Sequence, residues 1–206
     1  MVVYEPGWSL QSARARYFEA NGFGRNGGYD SAWVDFKLGP VPFPFPNTTP
    51  RKRAVQYHDL HHILTGYGTN FAGELEISAW EIGSGCKGYA AAWQLNLGGM
   101  AAGALGMPRK TWAAFRRGRS SRNLYGSRID EVLHRSVGDV RRELGIDEPC
   151  ARVSVVVDAL LYAVAVVLGL AIGLLSFVVF LPFALVLGPV FYVIGRRQQR
   201  GLALKT

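Results

Sequence analysis

From Ala159 to Gly195, about 37 consecutive residues carry no ionisable side chain other than Tyr162 and Tyr192. No globular core needs an apolar run this long and this uniform, and one helical crossing of a bilayer takes about 20 residues. The run is too long for one crossing and nearly long enough for two. Pro182 and the pair Gly188-Pro189 interrupt its second half. Basic residues flank both ends: Arg141, Arg142 and Arg152 before it, Arg196, Arg197, Arg200 and Lys205 after it. The positive-inside rule then keeps both ends cytoplasmic. Residues 151–195 are expected to enter and return as a transmembrane helical hairpin, with a basic tail at 196–206. Asp158, near the start of the run, can stay at the interface.

The chain ahead of this segment reads as mostly helical, giving an all-α fold class. Residues 9–20 form an amphipathic helix with Ser9 as its cap and Leu10, Ala13, Tyr17 and Phe18 on one face. A glycine-rich stretch at 21–30 ends it. Residues 39–50 carry Pro40, Pro42, Pro44, Pro46 and Pro50, which forbid a helix and favour an extended polyproline segment. Further helices are expected over 57–65, from a cap at Thr69 or Asn70 to about Ile82, over 89–105, over 112–117 and over 130–144. Nothing alternates in the manner of a strand. The expected organisation is an N-terminal extension at 1–45, a helical domain at 46–150 and the hairpin beyond it. The N-terminus has no basic segment followed by a long apolar one, so no cleaved secretory signal is expected. Cys86 and Cys150 have no CxxC spacing and read as reduced thiols.

Net charge is +8, and the excess is localised. No Asp or Glu lies between Glu81 and Asp130, while that interval holds Lys87, Arg109, Lys110, Arg116, Arg117, Arg119, Arg122 and Arg128. The block suits an anionic partner, and a domain tethered at its C-terminus would hold these residues close to acidic headgroups. The membrane is therefore the expected partner and nucleic acid is not.

The chemistry concentrates in His58-Asp59-Leu60-His61-His62 and in Glu74, twelve residues after His62. As a pattern it is H-D-x-x-H-x11-E. His58 and His62 stand one helical turn apart and share a face, so both imidazoles can reach one ion. Asp59 is offset by about 100° from His58, at the edge of that face, as a ligand or as a partner of a ligand. Glu74 comes from the next helix, as in bundles that build metal sites from facing carboxylates and histidines. His61 points off the ligand face and reads as a surface or packing residue, as does Glu76.

Two partial likenesses fail. The spacing His58-x-x-His61-His62 matches one histidine box of membrane desaturases and hydroxylases, but those need about eight histidines for a di-iron centre. This chain has four, with only His134 outside the box. The dipeptide His58-Asp59 also occurs in HD-type phosphohydrolases, which require an upstream histidine, and none precedes His58. The third likeness is close. Residues 58–67, read with Thr69, Gly73 and Glu74, resemble the signature of the coenzyme Q (ubiquinone) biosynthesis protein 4 family in its bacterial form. The stretch 116–146, ending Val140-Arg141-Arg142-Glu143-Leu144-Gly145-Ile146, resembles the end of that family's catalytic domain. The likeness covers Pro46 to Ile146; the hydrophobic C-terminus departs from the family pattern of peripheral membrane association.

The resemblance implies a helical fold and a divalent ion, with zinc first and iron or manganese as alternatives. It implies His58, Asp59, His62 and Glu74 as ligands and catalytic groups. It implies action on a polyprenylated hydroxybenzoate-type precursor in the membrane: loss of the ring carboxyl at C1 coupled to hydroxylation there. An apolar groove for the prenyl tail is expected in the Gly/Ala-rich stretch 89–105. No flavin or nicotinamide motif is recognisable. The candidate partners are other quinone-biosynthesis enzymes and further copies of the chain. The expected location is a bacterial inner membrane, with the metal domain on the cytoplasmic side. The alternative function is a non-catalytic, lipid-binding scaffold that organises those enzymes.

Overall fold

The computed structural model describes residues 3–34, 37–38, 41–42, 45–148, 154–176 and 178. Its helices are α1 (Leu10–Asn21), α2 (Thr49–Thr65), α3 (Phe71–Ser84), α4 (Ala90–Gly106), α5 (Pro108–Ser120), α6 (Ile129–Leu133), α7 (Val137–Leu144) and α8 (Val155–Ser176). The chain is mostly helical, as expected.

Local chemistry sets the boundaries. Ser9 caps α1 by accepting from the Ser12 amide, and the buried face of α1 is Leu10, Ala13, Tyr17 and Phe18. Asn70 caps α3 by accepting from the Gly73 amide at 2.9 Å. Helix α2 starts earlier than the expected residue 57. Pro50 lies in its first turn, where the missing N–H leaves nothing unsatisfied, and Arg51-Lys52-Arg53 are helical. The helix expected over 130–144 is two, because Ser136 opens a new one by accepting from the Asp139 amide.

The extended polyproline segment is corrected to a short hairpin. Strand β1 (Trp33–Val34) pairs antiparallel with β4 (Phe45–Pro46), and β2 (Lys37–Leu38) pairs with β3 (Val41–Pro42). Prolines forbid a helix here, but a two-stranded ribbon has outer edges that need no N–H from them.

Helix α2 is the centre of the domain. Every residue from 59 to 65 is buried, because α1, α3, α4 and α7 all pack on it. One continuous core joins Tyr17 and Phe18 of α1 to Leu60 and Leu64 of α2, Trp80 of α3, Met100 of α4, Phe115 of α5 and Val140 of α7. Residues 10–18 thus belong to the same core as the helical domain. Helices α3 and α5 approach backbone to backbone. A Cβ on Gly83 would lie 2.3 Å from the Phe115 carbonyl oxygen, and one on Gly118 would lie 2.2 Å from that of Trp80.

Helix α8 has 22 residues and is long and apolar enough to cross a membrane. One face docks on the domain. Asp158 is fully buried between Arg119 at 3.0 Å and Arg116 at 3.3 Å, rather than resting at an interface. Tyr162 meets the rings of Trp112 and Phe115 edge-on. A Cβ on Gly169 would fall 2.2 Å from the Leu97 carbonyl oxygen, so the Leu97–Ala101 side of the expected groove is covered by α8. Leu160, Val164, Val167, Leu174 and Leu175 point outward, each more than half exposed. The return arm of the expected hairpin, the basic tail and Cys150 lie outside the described residues.

Several residues of the basic block have internal work. Besides the Asp158 pair, Arg117 donates to the Thr65 carbonyl at 2.8 Å and lies over the Tyr67 ring, and Arg128 pairs with Glu131.

Candidate metal centre

The helical stagger of α2 puts His58 and His62 on the side facing the first turn of α3, where Glu74 stands. The loop between the helices folds against that turn. A Cβ on Gly73 would lie 2.0 Å from the Gly68 carbonyl oxygen, so only glycine leaves room for the loop there. Three side chains converge as a result. His58 Nε2 is 3.1 Å from His62 Nε2 and 3.3 Å from Glu74 Oε2, and His62 Nε2 is 3.4 Å from Glu74 Oε1. One ligand atom from each of His58, His62 and Glu74 lies within 4.8 Å of the other two, a group that could hold a metal ion. Metal–ligand bonds of 2.0–2.2 Å in a tetrahedron give ligand–ligand edges of about 3.4 Å, close to the spacings seen.

The remaining imidazole atoms decide which nitrogens face the centre. His62 Nδ1 is 3.0 Å from the Tyr67 carbonyl oxygen, which can only accept, so Nδ1 donates and Nε2 is left for a ligand. His58 Nδ1 is 3.1 Å from a carboxylate oxygen of Glu81 and is held in the same way. Two Nε2 atoms therefore face each other, and only a proton or a cation between them relieves the repulsion of their lone pairs. Burial opposes a charge on His58, but Glu81 and Glu74 outweigh it and raise its pKa well above the usual histidine value. A cation binding at Nε2 displaces that proton. Burial also works against the Glu74 carboxylate, yet hydrogen bonds and charge from His58 and His62 hold its pKa at about 2. The Glu74 side chain is 44% exposed against 2% for His62, so the centre opens on the Glu74 side.

Asp59 is brought close but faces elsewhere. Its carboxylate accepts from the phenols of Tyr29 at 2.5 Å and Tyr17 at 3.4 Å, on the α1 side of α2. Burial raises its pKa against the pull of those hydrogen bonds and of His58 and His62. The Tyr17 ring stacks on His62 with centroids 5.9 Å apart, which links the Asp59 cluster to the group of His58, His62 and Glu74.

His61 is fully buried, which removes the surface reading and leaves packing. Its Nε2 accepts from the Leu124 amide at 3.0 Å, its Nδ1 meets Glu81 at 2.6 Å, and its ring lies against Trp80 and Tyr125. Burial lowers its pKa, so the ring is neutral.

Glu81 escaped the sequence reading, where it only marked the edge of the basic block. It is fully buried and accepts from His58, His61, Tyr125 and Asn96. Burial alone would neutralise it, but charge and hydrogen bonds from His58 and His61 keep it far below the usual carboxylate range. The signal was present: Glu81 follows Glu74 by seven residues, two helical turns, and so shares its face.

Residues 51–150 match the family described as Coenzyme Q (ubiquinone) biosynthesis protein Coq4. This domain of the chain belongs to that family. Neither the curated proteins nor the solved structures gave a match. The Coq4 family is involved in ubiquinone biosynthesis. The matched stretch carries His58, His62, Glu74 and Glu81, whereas Tyr17, Tyr29 and the whole of α8 lie outside it.

Proposed function

We propose that this Coq4-family chain is a membrane-held, metal-dependent enzyme of ubiquinone biosynthesis. Its substrate class is a polyprenylated hydroxybenzoate-type acid, from which it removes the ring carboxyl at C1 with hydroxylation of the same carbon. The observation that supports this best is the convergence of His58 Nε2, His62 Nε2 and the Glu74 carboxylate. Three protein ligands leave a tetrahedral ion one position open for substrate, whereas a structural ion is closed by four. Two imidazoles and a carboxylate suit zinc, with iron and manganese as the next choices.

When bound, the ion supplies Lewis acidity toward the carboxylate and phenolic oxygens of the substrate. The side chains do the rest. His62, almost wholly buried and backed by Tyr17, fixes the floor of the site, while Glu74 stands at its mouth. Asp59, Tyr17 and Tyr29 close the α1 side against water. In the net change, ring–COOH becomes ring–OH and CO2. This is a two-electron oxidation: the oxygen atom comes from water, with two electrons and two protons passed to an acceptor, or from O2, whose other atom is reduced to water by an external two-electron donor. The electron pair of the broken C–C bond stays with the ring carbon, where polarisation of the phenolic oxygen stabilises it.

Helix α8 is docked on the domain through Asp158, Tyr162 and Gly169, and turns Leu160, Val164, Val167, Leu174 and Leu175 outward as an apolar face suited to lipid. With the following apolar residues it would hold the domain on the cytoplasmic side of a bacterial inner membrane, within reach of a head group whose tail stays in the lipid. Other quinone-biosynthesis enzymes, and further copies of the chain, are the partners this location suits.

The test is Glu74→Gln in the full chain, with metal content measured beside quinone production in a deletion strain. The enzyme reading expects the variant to stay folded and membrane-bound while quinone falls at least 100-fold, the order of loss typical of a displaced catalytic group (~10² or more). A metal-free variant lacking His58, His62 and Glu74 that restored quinone fully would overturn it and leave the scaffold role.

A further inference from the structure

We propose that Glu81 is the positioning residue of the metal centre: it holds the His58 ring with its proton on Nδ1, so that Nε2 is the atom offered to the ion. The proposal rests on reading His58, His62 and Glu74 as the ligand set, and it names the group that makes His58 a competent ligand.

The Glu81 carboxylate has no freedom to do anything else. Oε1 faces His58 Nδ1 at 3.1 Å and His61 Nδ1 at 2.6 Å. Oε2 faces the Tyr125 hydroxyl at 2.8 Å and the Asn96 amide. A carboxylate has about four lone-pair positions, and here each has a donor. The side chain is fully buried, so no water competes.

The direction of the His58 hydrogen bond follows from the backbone. The Leu124 N–H donates to His61 Nε2 at 3.0 Å, so that nitrogen carries no proton and the ring's N–H is on Nδ1, which donates to Glu81 Oε1. That oxygen is therefore an acceptor toward His61, and the other oxygen accepts from the Asn96 amide. The contact at His58 Nδ1 can only be a donation from the ring. With Nδ1 committed, Nε2 is the nitrogen that lies 3.1 Å from His62 Nε2 and 3.3 Å from Glu74.

Helix α3 supplies both ends of this grip. Glu74 and Glu81 are two turns apart on one face, so a single rigid element addresses both nitrogens of one imidazole. A loop residue in the place of Glu81 would leave the ring free to rotate about its Cβ–Cγ bond. A carboxylate behind a ligating histidine fixes its tautomer and raises its basicity, and loss of such a partner costs about 10–100-fold in metal affinity.

The experiment uses the full chain in detergent micelles with its four histidines labelled by nitrogen-15. Zinc affinity is measured by chelator competition. The His58 Nδ1 proton is followed by NMR in the metal-free and zinc-loaded protein, assigned by substitution of His58. Glu81→Ala removes the acceptor. It is expected to weaken zinc about 100-fold and to lose the slowly exchanging His58 Nδ1–H signal, while helix content is kept. Glu81→Gln keeps an oxygen but removes the charge. It is expected to weaken zinc about tenfold with the Nδ1–H signal retained.

A folded Glu81→Ala protein that binds zinc like the wild type, or keeps that signal, overturns the proposal. If Glu81→Ala does not fold, wild-type zinc affinity in Glu81→Gln overturns it instead. A wild-type protein that binds no divalent ion while Glu81→Ala still loses the His58 signal would sink the metal reading but not the positioning of the ring. The two failures are distinguishable.

Discussion

Gly118→Ala places a methyl group 2.2 Å from the Trp80 carbonyl oxygen and 3.0 Å from the Ser84 amide nitrogen, both backbone atoms of α3. No rotamer change relieves such an overlap. Reaching the 3.4 Å of ordinary contact requires α3 and α5 to part by about 1 Å, in a core packed as densely as an organic crystal. Overpacking of this kind costs about 1–3 kcal/mol, and the obstacle here is rigid. Alanine returns up to about 1 kcal/mol through its better helix propensity. The expected net loss is about 2 kcal/mol, or a fall of roughly 4–8 °C in melting temperature for a chain of this size. Helix α3 carries Glu74 and Glu81, so the same displacement should weaken metal binding. Gly98→Ala is the internal control: nothing lies within 4 Å of its added Cβ, and the change should gain about 0.5–1 kcal/mol. Thermal unfolding followed by tryptophan fluorescence in one detergent reads both. A Gly118→Ala protein that melts at or above the wild-type temperature would refute the backbone contact between α3 and α5.

Asp158→Asn removes the charge that Arg116 and Arg119 share and should lower stability by about 2 kcal/mol, below the usual cost of breaking a buried pair because both guanidinium groups are partly exposed; an unchanged melting temperature would count against the docking of α8. Burial and the nearby Glu81 charge push the Cys86 thiol up to about 12, so iodoacetamide at pH 8 should label Cys86 only after unfolding, and rapid labelling of the native protein, read by peptide mass, would contradict its burial. Asp147 is held below its ordinary pKa by the hydrogen bonds of Arg141, so its contribution is present above the unfolded value and disappears as pH falls through the folded one. Because the pair is largely exposed, Asp147→Asn should cost well under about 1 kcal/mol at pH 7 and nothing in strong acid; a cost that grew on acidification would have the wrong sign.

The elements that sequence reading placed well are those whose ends carry local chemistry. Ser9 and Asn70 announced α1 and α3 because their side chains accept from amides three residues on. The pairing of His58 with His62 was legible from one turn of helix, and that of Glu74 with them from the next helix. What stayed hidden depends on contacts between distant segments. Asp59 follows His58 directly, yet a step of about 100° turns it toward α1, where Tyr17 and Tyr29 take it. Nothing in a linear motif reveals that a helix from residues 10–21 will stand there. Asp158 read as an interfacial charge because its partners lie about forty residues upstream on another helix. The hairpin at 33–46 was missed because proline content argues against helix but does not choose between an extended strand and a ribbon.

Charge balance joins the two glutamates to one purpose. The core buries a carboxylate at Glu81 and leaves a second, Glu74, half-exposed at its edge, and both act on His58, raising its pKa well above the usual histidine value. The buried carboxylate is expensive unless its charge is answered by donors or a cation, while Glu74 keeps partial access to water. A divalent ion in place of the His58 Nε2 proton would answer both carboxylates at once. Asp59 faces the other way, where its oxygens accept from the phenols of Tyr29 and Tyr17. A purely structural polar cluster would need only His61, Tyr125 and Asn96 around Glu81. The second carboxylate, two turns before the buried one on the same helix, completes with His58 and His62 a group that could hold a metal ion.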